Sequence, residues 1–447
     1  MKQGARVLAR SVGSETPSII ALGHAEATPA AKQAQRRVVT PLADARTYPK
    51  PFHQIPGPKP SLPLIGTSWQ YFRWGRYSLY QLHEACADKY RRYGDIMKEE
   101  YQWQVPIVHA FNPEDFETIF RHQGRCPIRP ANEFVRKYRT EHPHKYSSVG
   151  LSNAADAGKE KILNSIFMLC LDTRLGCLSR SVNYDSDAAI VITAAKDLFS
   201  AYQKLYYGLP LLTLSYLQKY ANHDCKDSAH APYAKHTSLL HALLNTEGLS
   251  EKDVHLTIMD FIAGGVFTTT NALCFLLHHL ACNPGVQEKL HGELQASNGD
   301  ISSCSYLRAC MKESFRLNPT VPGVMRILPE DVVLSGYHVP AGVPVFANSL
   351  VTCHLEKYFA EPEAFRPERW LGAERTQIHP FSLLPFGHGA RMCAGRRFAE
   401  LELMTAAAKV VQNFVVEPCS RTLNTSYVFV VVPSHPVGLR FYDRVDH

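Results

Sequence analysis

The chain has 447 residues, 45% of them hydrophobic, enough for one large core or two ordinary domains, and a formal net charge of +7. That charge is modest for the length, and no lysine or arginine stripe marks a nucleic-acid binder, so it points to acidic partners or a targeting segment. Twelve cysteines at irregular spacing make no C-x-x-C pair, which excludes a zinc pattern and argues for reduced packing thiols rather than a disulfide framework.

The first 50 residues hold eight basic side chains (Lys2, Arg6, Arg10, Lys32, Arg36, Arg37, Arg46 and Lys50) against Glu15, Glu26 and Asp44. The longest apolar run there, Ile19 to Gly23, is far too short to span a bilayer. Residues 1–46 have the composition of a mitochondrial transit peptide, with an unstructured basic tail as the alternative. A stiff proline hinge, Ile55-Pro56-Gly57-Pro58, follows, and residues 47–447 read as a single domain.

Tyr77 to Tyr93 has helical spacing, with Leu79, Leu82, Cys86 and Tyr90 on one side, and strand-like residues follow around Val105 to Ala110. Ser250-Glu251-Lys252-Asp253 is a capping signature for a long helix over 251–282, stopped by Asn283-Pro284 and spanning roughly 50 Å. Its apolar tract is interrupted by Asp260, Asn271, threonines and histidines, which predicts a buried helix rather than a membrane span. Gly264 and Gly265 each cost about 1 kcal/mol there relative to alanine, so they are expected to make room for something. A second helix covers 305–317, a hairpin 334–342, and a late strand 427–432. The fold class is mainly α with a minor β part.

Pro385 to Gly395 reads F-x-x-G-x-R-x-C-x-G without a mismatch, with Cys393 at the cysteine. A thiolate presented from such a loop is a good axial ligand for haem iron. Gly387 lets the backbone approach a flat macrocycle beside Phe386, and Arg391 can reach a haem propionate. The alternative is a surface cysteine in a glycine-rich turn. With the helix-like Arg396 to Leu403 behind it, the run resembles the cytochrome P450 family.

That resemblance implies the cytochrome P450 fold, haem b (iron protoporphyrin IX) as cofactor and dioxygen as co-substrate. Glu313 and Arg316 form E-x-x-R on one helix face, and the resemblance implies that they dock with Arg369 of Pro367-Glu368-Arg369-Trp370 to brace the haem-binding core. It also gives Arg326 a second propionate and Thr268 proton delivery to bound dioxygen. The acid usual before that threonine is here Phe267, which cannot carry a proton, so water or Thr269 has to help. The alternative for the threonines is bonding to their own helix backbone.

Arg308, Lys312, Arg396 and Arg397 resemble the basic face on which the mitochondrial group receives a small acidic ferredoxin, fed by an NADPH-dependent ferredoxin reductase. Solvated helix charges are the alternative. Several runs, among them Phe52 to Pro58, Arg139 to Leu151 and Tyr206 to Pro210, resemble arthropod ecdysone 20-hydroxylases. This implies hydroxylation of a steroid-like molecule, ecdysone to 20-hydroxyecdysone, on the matrix side of the inner membrane, with peripheral membrane association. Other readings are a different mitochondrial sterol or xenobiotic hydroxylase, or an impaired haem-binding isoform. The last arises because the family's W-x-x-x-R helix is missing: no tryptophan lies between Trp103 and Trp370. The domain is therefore expected to be shortened near 152–162, where Asn153 to Lys161 leads straight into a helix over 162–178.

Overall fold

The computed structural model describes residues 48–101, 105–125, 127–128, 133–144, 146, 243–245 and 248–444. Expectations for residues 1–46, 152–162 and the helix over 162–178 lie outside them. Pro49–His447 forms one compact unit. Helices dominate it and strands are short.

Helix α1 (Leu82–Tyr93) follows a single 3-10 turn, Leu79–Gln81, whose cap Ser78 accepts from the Tyr80 N–H. It ends where Gly94 turns to a φ of +86°, a conformation that costs glycine no Cβ clash. Strands β1 (Ile96–Glu100) and β2 (Pro106–Ala110) pair antiparallel. β1 was not expected from Ile-Met-Lys-Glu-Glu, because its charges look solvent-facing. Glu99 is instead fully buried against Lys89, with Tyr101 donating to it at 3.0 Å. Helix α2 (Pro113–Arg121) starts with proline at its first position, Asn112 as cap and two acids in the first turn, three features that favour a helix N-terminus. It buries Phe116, Ile119 and Phe120 in a core with Val108, Ala110, Val345 and Ala347 of the sheet.

Helix α3 (Glu133–Glu141) precedes the long helix α4 (Glu251–Cys282). α4 opens on the expected capping box between Ser250 and Asp253 and stops at Asn283. Helices α5 (Pro284–Ala296) and α6 (Ser305–Leu317) follow. The Glu293 carboxylate of α5 caps α6, accepting from the N–H groups of Tyr306 at 2.9 Å and Leu307 at 3.1 Å. Helix α8 (Arg396–Asn413) comes after a short α7 (Ser349–Cys353). Leu276 and Leu280 of α4, Leu290 and Leu294 of α5, Leu307 and Cys310 of α6, and Leu403 and Ala407 of α8 share the main core. Among the described residues no helix is long and apolar enough to cross a membrane.

The main sheet runs β1-β2-β6-β3, with β3 (Val324–Ile327) antiparallel to β6 (Pro344–Ala347) and β6 parallel to β2. β4 (Val332–Leu334) and β5 (Tyr337–Val339) form the expected hairpin. β7 (Phe414–Pro418) pairs with β10 (Leu439–Asp443). The single late strand expected over 427–432 is corrected to a second hairpin, β8 (Thr425–Tyr427) against β9 (Val431–Pro433). Its turn is tight: Phe429 takes a φ of +68° and the Val428 N–H bonds the Val430 carbonyl at 2.9 Å. Of the described cysteines, Cys86, Cys304, Cys310 and Cys353 are buried as expected, whereas Cys419 is exposed and so is not a packing residue.

Candidate active site

α6 and the one-turn helix Pro367–Trp370 bring Glu313, Arg316 and Arg369 together. The Glu313 carboxylate accepts from Arg316 Nη2 at 2.9 Å and Nε at 3.0 Å, and from Arg369 Nε at 2.9 Å. It also accepts from the Trp370 indole N–H at 2.8 Å and the Arg366 backbone N–H at 3.0 Å. Glu313 and Arg316 are 0% exposed. The second faces of the guanidiniums are also used: Arg316 Nη1 donates to the carbonyls of Cys353 at 2.8 Å and Pro362 at 2.6 Å, and Arg369 Nη1 to that of Ala360 at 2.9 Å. Three charges removed from water are thus held by hydrogen bonds on nearly every side, which is what a buried ionic group requires.

The same helix braces the cysteine loop. Phe315, between the two charged residues, meets Phe386 edge-on at 5.4 Å, and Phe386 packs against the main core. From Phe386 the backbone takes left-handed conformations at Gly387 (φ +72°) and Gly389 (φ +76°), turns once over Gly389–Arg391, and returns so that the Cys393 N–H donates to the Phe386 carbonyl at 2.9 Å. α8 then begins at Arg396. Cys393 carries an exposed side chain at the mouth of this turn. A thiol on a turn whose backbone is pinned to a half-buried aromatic suits a haem-iron ligand. On α4, a Cβ added at Gly264 or Gly265 would meet nothing within 4 Å, so the described residues leave room there for a flat ligand. On both counts the residues fit haem.

Arg326 and Arg391 approach the loop by different routes. Arg326, on β3, is 0% exposed, donates from Nε to the Gln123 side-chain oxygen at 2.8 Å, and lies 5.3 Å from the Phe120 ring. Arg391 is half-buried and donates from Nε to the Pro127 carbonyl at 3.0 Å. Thr268 donates to the Gly264 carbonyl one turn back at 2.6 Å, so its oxygen still has acceptor capacity. Thr269 lies half-buried beside it.

Arg308, Lys312 and Arg396 share one electrostatic neighbourhood. Burial lowers the proton affinity of Lys312 most, Arg375 adds to that, and so do Arg396 and Arg308, while Glu400 opposes them. Lys312 sits 5.8 Å over the Trp370 ring, tying this basic face to the Glu313 network. Arg396 pairs with Glu400 at 2.9 Å, Arg308 donates to the Ser302 carbonyl, and Arg397 is exposed. Arg375 was not anticipated, and nothing in its local sequence marks it. Neither does any local pattern mark Gln123, whose partner Arg326 lies 203 residues away.

Residues 162–441 match the family model for Cytochrome P450. The ecdysone 20-monooxygenase of Drosophila melanogaster is 29% identical over 485 aligned positions, covering 88% of each chain. A probable mitochondrial cytochrome P450 301a1 of the same species is 30% identical, covering 88% of this chain and 86% of its own. The mitochondrial 1,25-dihydroxyvitamin D(3) 24-hydroxylase of Mus musculus is 26% identical, covering 87% and 89%. Since 88% of 447 residues is about 393, about 92 of the 485 positions aligned with the first relative are gaps in this chain. Haem is the cofactor of the matched family, whose chemistry is that of a monooxygenase. This chain belongs to the cytochrome P450 family.

Proposed function

We propose that the chain is a mitochondrial haem-thiolate monooxygenase that hydroxylates a steroid, with ecdysone, attacked at carbon 20, as its substrate. The observation that carries the haem-thiolate reading is the Cys393 loop, pinned to Phe386 and braced through Phe315 by the Glu313 network. Haem, when bound, would supply the oxygen chemistry, which a thiolate ligand favours. In this reading Cys393 is the iron ligand, Phe386 and Gly387 shape its loop, and Arg326 and Arg391 pair with the propionates. Thr268, donating to Gly264, offers its oxygen to a water that carries the proton. Phe267 cannot relay a proton, so Thr269 supplies the second hydroxyl.

Electrons arrive on the face of Arg308, Lys312, Arg396 and Arg397, with Arg375 beside them. An acidic ferredoxin fed by an NADPH-dependent reductase is the partner whose charge complements it. Similarity to the fly ecdysone 20-monooxygenase and to mitochondrial relatives supports the substrate and the matrix side of the inner membrane as its location. The test is a spectral titration with ecdysteroids, sterols and vitamin D-like compounds, followed by turnover with ferredoxin and reductase. Saturable binding and 20-hydroxylation of ecdysone are expected. Binding and turnover of a sterol with no response to ecdysone would overturn the substrate.

A second reading rests on the aligned gaps and on the missing tryptophan: this chain is a shortened isoform, lacking the W-x-x-x-R helix near 152–162, that holds haem weakly. One haem per chain, retained through gel filtration, would overturn it.

A further inference from the structure

We propose that Gln123 is a positioning residue that ties Arg326 to the thiolate loop, holding the propionate side of the haem site and its iron ligand in one register. Gln123 lies just past the end of α2 and is 6% exposed. Arg326 is donor-only, so the amide must turn its oxygen toward that guanidinium, and the oxygen accepts from Arg326 Nε at 2.8 Å. The amide nitrogen is thereby aimed at the loop, where it reaches the His388 carbonyl at 3.5 Å.

The approach is close as well as polar. A Cβ at Gly389 would come 2.2 Å from the Gln123 Nε2 atom, so the loop backbone and this side chain are shaped to each other. The neighbours repeat the tie. Phe120 stacks on Phe381 at 6.1 Å and both rings meet His388, at 5.9 and 4.9 Å. Arg391 bonds the Pro127 carbonyl, and the Ile327 N–H bonds the Ile128 carbonyl at 3.3 Å. The described residues after α2 therefore form a strap between β3 and the loop, and Gln123 is a side chain among them that touches both. The Arg326 guanidinium, also donating to the Met325 carbonyl at 2.9 Å, has its direction set by these contacts. Side chains that orient a ligand in this way change affinity on the order of 10- to 100-fold when removed.

The inference rests on the reading of Cys393 and Arg326 as haem-binding residues. Its test uses the full chain with Gln123→Leu, Gln123→Glu and Cys393→Ser. Hydrogen exchange of residues 386–393 is measured without haem, and the rate of haem loss to a scavenging protein with it. Q123L, similar in volume, should speed exchange across the loop about fivefold, as expected for one lost amide-to-carbonyl hydrogen bond. It should speed haem loss on the order of 10-fold or more. Q123E keeps the arginine but cannot donate to His388, so it should loosen the loop while losing haem more slowly than Q123L. Exchange and haem loss in Q123L both within about twofold of wild type, under the fivefold that one such bond predicts, would overturn the tie. A loosened loop in Q123L, with haem loss identical in wild type, Q123L and C393S, would support the tie and overturn the haem-binding reading.

Discussion

Replacing Glu313 by glutamine takes one negative charge from between two buried guanidiniums and leaves the side-chain volume almost unchanged. In its better orientation the amide oxygen keeps the Arg316 Nη2, Arg369 Nε and Arg366 N–H contacts. The amide nitrogen then faces Arg316 Nε and the Trp370 indole N–H, which now donate at 3.0 and 2.8 Å to an oxygen, so donors confront donors. Two positive charges also lose their counter-charge where Glu313 and Arg316 are 0% exposed. Breaking a buried pair from one side costs about 3–5 kcal/mol, a large part of the ~5–15 kcal/mol that holds a typical domain folded. The exposed pair Arg396–Glu400 is the comparison: Glu400→Gln removes the same charge on a surface where such pairs contribute ~0.5 kcal/mol or less. Urea unfolding followed by tryptophan fluorescence reads both, with Trp370 reporting from inside the network. Glu313→Gln within ~1 kcal/mol of wild type would refute the claim that this network holds α6 and the loop it braces.

Acid should destabilise the fold through its buried histidines. Burial pushes His83, His109 and His279 down to about 4, so each is neutral when folded and takes up a proton on unfolding as pH falls below about 6.5. Their contribution is present above pH 6.5 and lost as pH falls toward 4. Asp115, raised to about 6 by burial, has the opposite sign: its share is present at low pH and lost as pH rises through 6. Three groups outweigh one, and His279→Gln should flatten the fall in unfolding free energy over pH 6.5 to 4 by up to ~1.4 kcal/mol per unit; an unchanged slope would contradict this. On the basic face, Arg308→Glu with Arg397→Glu should raise KM for an acidic ferredoxin about tenfold at low salt, and added salt should shrink the difference as the Debye length falls. A salt-independent KM would remove that face from docking.

What could be read in advance was local chemistry. Ser250 with Asp253, and Asn283 before Pro284, bound the long helix because caps and prolines act on adjacent backbone. Glu313 and Arg316 were visible at helical spacing, but the Trp370 indole and the Arg366 N–H that complete the carboxylate come from a segment more than fifty residues later. The hairpin over 425–433 was hidden because Phe429, a residue that rarely takes positive φ, makes its turn. β1 was hidden because Glu99 looks like a surface charge until Lys89 is brought beside it. Gln123 and Arg375 had no signal at all, since their roles arise only when distant strands and helices meet.

The haem-thiolate assignment is tested most directly by the reduced carbon monoxide difference spectrum of the haem-loaded chain beside Cys393→Ser. The thiolate-type band is expected from wild type and its loss from C393S, with bound haem then showing the band of a non-thiolate ligand. The same thiolate-type band in both proteins would contradict Cys393 as the iron ligand.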